Sequence, residues 1–150
     1  MTMTALDVES LSLLIEQEIY VNASLEVTFD ALLEQLGPSS EKMNGEPMPL
    51  KLEPWPGGRW FRDLGDDNGH FWANVQAIKR PTLLEFSGPL MMSEPVANNV
   101  QYRLSQSGDG TLIKFRHSGF GLIQEGHKKG VHGGWTYIHG KVRERAEKSR

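Results

Sequence analysis

Four clusters of turn-forming residues cut the middle of this chain at short, regular intervals: Pro56-Gly57-Gly58, Gly65-Asp66-Asp67-Asn68-Gly69, Arg80-Pro81-Thr82 and Ser107-Gly108-Asp109-Gly110. The runs between them, about 59–63, 70–79, 83–87, 98–105 and 111–118, are rich in aromatic and β-branched residues and read as strands. A parallel pair needs a crossover of about a dozen residues or more, so connections this short make consecutive strands antiparallel neighbours. Residues 15–21 add a first strand, with Ile15, Ile19 and Val21 on one face, and 50–54 a short one, for about seven in all.

Val100, Tyr102 and Leu104 alternate against Gln101, Arg103 and Ser105, and Ile113, Phe115 and His117 against Leu112, Lys114 and Arg116. One face of the sheet is therefore apolar and has to be covered. The cover is a long C-terminal helix on which Val131, Trp135, Ile138 and Val142 recur at steps of four, three and four. Gly130, Gly133 and Gly134 each weaken that helix by roughly 1 kcal/mol relative to alanine, which points to a close approach of its backbone to another element. A shorter helix over 25–36 begins at the N-cap Ser24, carries Leu25, Phe29, Leu32, Leu33 and Leu36 as its apolar stripe, and stops at Gly37-Pro38. Between Gly37 and Gly57 lie five of the eight prolines, so a long, mostly irregular connection is expected there. Such a loop either borders a site or is a solvated excursion.

At 150 residues the chain is most simply one domain, 15–148, behind a flexible N-terminus, 1–14. Folding at this size buries roughly 68–70% of the unfolded chain's surface. There is no cysteine, which excludes disulfides, thiolate metal sites and a cysteine nucleophile. The first residues lack the cationic start of a secretory signal, and no apolar run approaches the ~20 residues of a membrane span, so the expectation is a soluble, cytoplasmic protein with no membrane partner. Residues 1–50 hold nine acidic residues and one basic, and 117–150 seven basic and three acidic, so the two ends attract each other. With a net charge of −3, nucleic acid is not an expected partner.

Several motifs fail on spacing. His132 and His139 are seven apart and His127 has no carboxylate at ligand spacing, so no metal site is expected and these three histidines are read as surface residues. The run from Gly121 to Lys128 lacks the lysine and hydroxyl of a phosphate loop, and Asp66 to Gly69 is a hairpin turn without the glutamate of a calcium loop. No nucleophile with a base is evident, and no cofactor is expected.

The order strand, helix, long connection, antiparallel hairpins and C-terminal helix resembles the SRPBCC superfamily, the START and Bet v 1-like proteins. Within it the chain is most similar to the C-terminal domain group of the activator of Hsp90 ATPase. The residues that carry the resemblance are VNASLEVTFDAL at 21–32, PGGRWF at 56–61, KRPTLLEF at 79–86, GDGTLIKFRHSGFG at 108–121 and HKKGVHGGW at 127–135. It implies an α+β helix-grip fold, a curved antiparallel sheet wrapped around the C-terminal helix, often with a cavity between them. It also implies binding of a small apolar molecule and, in a few members, cyclisation or dehydration of polyketide-like substrates. The Hsp90 activator carries a separate N-terminal domain for which these residues leave no room, so co-chaperone activity is not implied.

On this resemblance the expected ligand-binding residues are Trp135, Tyr102, Phe115, Phe86, Phe71 and Trp60, with His117 or Tyr102 orienting a polar end. His117 is also the one candidate general acid or base, against the alternative that it hydrogen-bonds backbone near the glycine bend at Gly119 and Gly121. The remaining alternatives are a cyclase or dehydratase acting through His117, and an interaction or stress-related module, for example a homodimer, that uses the fold without a cavity.

Overall fold

The computed structural model describes residues 9–90 and 93–149. Seven strands and two helices follow in the order β1 (Ser12–Val21), α1 (Leu25–Leu36), β2 (Lys51–Leu52), β3 (Arg59–Gly65), β4 (Asn68–Lys79), β5 (Leu83–Gly88), β6 (Val96–Ser107), β7 (Gly110–Gly121) and α2 (Glu125–Lys148). All strands join one antiparallel sheet in the spatial order β1-β7-β6-β5-β4-β3-β2. This is the helix-grip architecture expected above. Five of the six pairings link consecutive strands; the sixth brings β1 onto β7, from Ser12 opposite Phe120 to Val21 opposite Thr111. Of the N-terminus expected to be flexible, 1–8 lies outside the described residues, while β1 begins at Ser12 and not at Ile15.

Local chemistry sets the element boundaries. Ser24 Oγ accepts from the Val27 amide at 3.2 Å, giving α1 its N-cap, and the Gly37 amide donates back to Leu33 O at 3.0 Å to close it. The β3–β4 hairpin turns through Asp66 and Asp67, both at positive φ, the backbone that a tight two-residue hairpin requires. Gly88 ends β5 against β4 so closely that a Cβ there would lie 2.4 Å from Trp72 O.

Strict alternation fails in one place that matters. Trp60 pairs with Ala73 and Phe61 with Phe71, so Trp72 is the extra residue of a β-bulge. Trp72 and Ala73 are consequently both buried, while Phe71 is 42% exposed.

The core is continuous between the sheet, α1 and α2. From α1 it takes Phe29, Leu32 and Leu36; from α2 it takes Val131, Trp135, His139, Val142 and Ala146. Two expectations about α2 are corrected here. A Cβ built on Gly130, Gly133 or Gly134 meets nothing within 4 Å, so these glycines do not mark a close backbone approach. His139, read from the sequence as a surface residue, is 2% exposed, because the inward stripe runs through it and leaves Ile138 half-buried beside it. Among the described residues no helix is long and apolar enough to cross a membrane.

Candidate functional site

Where helix and sheet meet, aromatic rings fill the interior. Phe115 lies 4.8 Å from Trp135 and 4.4 Å from His139, ring centre to ring centre, and Tyr102 lies 5.0 Å from Phe115. Trp135 stacks on His139 at 5.7 Å and 14°. Each of these rings is at most 2% exposed.

Two hydrogen-bond chains satisfy the polar atoms among them. Trp135 Nε1 can only donate, and it meets His117 Nδ1 at 3.0 Å, so that nitrogen carries no proton. His117 Nε2–H then donates to Asn98 Oδ1 at 2.7 Å, and Asn98 is oriented by its own donation to Pro89 O. In the second chain Gln17 Nε2 donates to His132 O and Thr136 Oγ1, which turns Gln17 Oε1 toward His139 and fixes Nδ1–H as the donor at 2.7 Å. Neutral His139 Nε2 therefore accepts the Tyr102 hydroxyl at 2.9 Å. Both imidazoles are held neutral by loss of hydration, His117 pushed down to about 4 and His139 to about 3. The same burial raises the Tyr102 phenol well above its usual range. Every imidazole nitrogen in these two chains has its partner, and no metal-ligating group of three or more His, Asp or Glu occurs among the described residues.

Open space lies one layer away, at the C-terminal end of α1. Residues 38–50, expected to be mostly irregular, fold back as a small hairpin: Glu41 bridges Pro47, Lys42 N donates to Glu46 O, Met48 N to Ser40 O and Leu50 N to Gly37 O. This loop roofs a recess of about 170 Å³ walled by Leu36, Met43, Met48, Trp60, Trp72 and Ile138. Trp60 is fixed on three sides. Its Nε1 donates to Leu36 O at 2.7 Å, using a carbonyl that the end of α1 leaves without a helical partner; its ring stacks on Phe86 at 4.5 Å and takes the edge of Trp72 at 5.1 Å.

At the rim stand Glu41 from the loop and Tyr137 from α2. The Tyr137 hydroxyl donates to Glu41 Oε1 at 2.6 Å, and Lys141 Nζ stands 3.5 Å from the same oxygen. The tyrosine first, and the lysine after it, hold this carboxyl below the ordinary glutamate range.

Of the residues expected to hold a ligand, Trp60 lines the recess and Phe86 backs it through Trp60. Trp135, His117, Tyr102 and Phe115 sit together in the packed interior. Phe71 faces outward on β4. Met43, Met48, Glu41 and Tyr137 are not singled out by the sequence, and Trp72 counts there only as one of the strand aromatics of which about half face inward. The usable signal for the loop residues is the length and proline content of 37–57; for Trp72 alternation sets it opposite Phe71, but only the bulge buries it together with Ala73.

Residues 22–147 match the family described as Activator of Hsp90 ATPase homolog 1-like protein. Among curated proteins none matches the sequence. A solved protein from Mesorhizobium loti is 19% identical, with 91% of this chain and 98% of that one aligned at a TM-score of 0.69. Ara h 8.0201 is 11% identical over 90% of this chain and 97% of its own, TM-score 0.68. The di-domain ARO/CYC StfQ from the steffimycin biosynthetic pathway is 10% identical over 95% of this chain and 53% of that one, TM-score 0.65. At these identities the likeness is one of fold.

Proposed function

The chain belongs to the Activator of Hsp90 ATPase homolog 1-like family, and we propose that it binds one small apolar molecule in the recess beneath residues 38–50. The observation that carries this reading is the contrast between two regions. The helix–sheet interior is filled by rings, whereas beside Trp60 and Trp72 an apolar space remains that the side chains around it do not fill. Its volume of about 170 Å³ is close to that of an apolar cavity able to take benzene. Two of its walls are methionines, whose flexible thioethers adapt to ligands of different outline. The role of Trp135, Phe115, Tyr102 and His117 in this reading is to keep α2 in place behind the site.

Toluene titrated into labelled protein tests it through the four indole N–H resonances. Those of Trp60 and Trp72 should shift and saturate, while that of Trp135 stays fixed. Gly134 lines the recess and has room for a side chain, so Gly134→Leu should fill the space and abolish the shifts while leaving the protein folded. Shifts centred on Trp135, or none at saturating toluene, would sink the assignment.

A further inference from the structure

The apolar recess shares two of its walls, Gln35 and Glu41, with a polar groove of about 240 Å³ that runs along the last turns of α2. Lys141, Arg145 and Lys148 supply the groove's positive charge, and Glu144 and Glu41 its negative charge. Glu144 is already committed to α2, within 3.8 Å of Lys141 and 3.2 Å of Lys148. Glu41 is different in kind, because it comes from the loop that roofs the recess and reaches α2 through its carboxylate.

Arg145 is positioned and underused. Its Nε donates to Gln35 Oε1 at 3.2 Å, and Gln35, 5% exposed, is anchored in turn by donating to Ser39 O at 3.1 Å. Among the described residues its two Nη groups make no hydrogen bond, although a guanidinium held by Nε presents them as a planar fork suited to a carboxylate. The chain thus places a carboxylate binder at the boundary of an apolar space and fills the neighbouring donors, Tyr137 Oη and Lys141 Nζ, with a carboxylate of its own.

We propose that recess and groove form one amphipathic site for a small arylalkyl or alkyl carboxylic acid, and that Glu41 is the internal stand-in which the ligand's carboxylate displaces. The apolar part enters between Trp60, Trp72 and Met48; the carboxylate takes Arg145 with Tyr137 or Lys141. Release of Glu41 frees the loop from α2, so the group that recognises the ligand also opens the roof. This rests on the apolar recess proposed above and adds to it the charge of the ligand.

Three compounds with the same phenylpropyl carbon skeleton separate the two claims: 3-phenylpropionate, propylbenzene and 3-phenylpropylamine. The acid should bind at least tenfold tighter than propylbenzene. Arg145→Gln should remove that advantage while changing the propylbenzene Kd by less than twofold, and Lys141→Gln should reduce it. Glu41→Gln, which keeps an acceptor for Tyr137 and removes the competing charge, should strengthen binding of the acid severalfold and leave propylbenzene unchanged. Equal affinities for acid and hydrocarbon, preference for the amine, or weaker acid binding by Glu41→Gln each overturn the proposal while the apolar recess stands. If neither acid nor hydrocarbon binds, both readings fall.

Discussion

Acid should unfold this protein earlier and more steeply than its carboxylates alone require, through the two interior histidines. In the unfolded chain each imidazole titrates near its ordinary value of about 6.5. In the folded protein loss of hydration lowers His117 to about 4 and His139 to about 3. From about pH 6.5 down to about pH 4 the unfolded chain therefore binds two protons that the folded chain refuses. A folded-state pKa below the unfolded one means that the stabilisation is complete above pH 6.5 and is lost as the pH falls through this window. Each histidine costs a factor of ten in the folding equilibrium per pH unit, so at pH 5 the two together weaken folding by a factor of about 1,000, or about 4 kcal/mol. Against a typical total of about 5–15 kcal/mol this is a large share.

Urea unfolding followed by tryptophan fluorescence at intervals from pH 7.5 to pH 5 reads the effect directly. The free energy should fall with a limiting slope of two protons, and His139→Leu should reduce the slope to one. Glu53, lowered to about 2 chiefly by its hydrogen bonds from Arg59, acts in the same sense but only below about pH 4.5, outside this range. The geometry gives an independent reason for the histidine effect. A proton on His117 Nδ1 would confront the indole N–H of Trp135, setting two donors face to face. A slope near zero, or a slope of two that survives in His139→Leu, would refute the reasoning.

Three substitutions test other parts of the fold. Gly130→Ala and Gly133→Ala lie on the exposed side of α2 with open space at Cβ, so each should raise stability by up to about 1 kcal/mol, seen as a higher Tm. Tyr102→Phe removes the hydroxyl that donates to His139 Nε2 and strands a buried acceptor, which should cost about 1–3 kcal/mol in urea unfolding. Ser24→Ala deletes the α1 cap and should cost about 1 kcal/mol, with no change in toluene binding.

The parts of this structure legible in the sequence are those governed by near neighbours. Ser24, the five-residue apolar stripe and Gly37 delimit α1 to the residue because cap, periodicity and stop all lie within one segment. The hairpins β3–β4, β4–β5 and β6–β7 follow from turns of two or three residues. The failures share a cause of the opposite kind. His139 counts as polar in any periodicity, yet it is interior because Tyr102 and Gln17, 37 and 122 residues away, complete its hydrogen bonds. Trp72 faces the recess because of a bulge against β3, which no pattern within β4 announces. The α2 glycines suggest a contact because weakening a helix usually has a packing reason, yet a Cβ at Gly130, Gly133 or Gly134 meets open space. The recess itself is formed by a loop, the end of α1, the bulged β3–β4 pair and one side of α2, so its outline appears only once all of them are in place.

The pairing of β1 with β7 has a kinetic side. Every other pair closes a short connection, but Val21 meets Thr111 across ninety residues, and the entropy of closing so long a loop delays that contact until later ones can reward it. The meander from β3 to β7 is linked by short connections, whereas His139 meets Gln17 as the partner of its Nδ1–H only when β1 arrives. Until the first strand docks, that donor faces solvent instead of Gln17, so a chain without β1 remains distinguishable from the finished protein. Pulsed hydrogen exchange during refolding should accordingly protect the amides of β4 to β6 before those of β1.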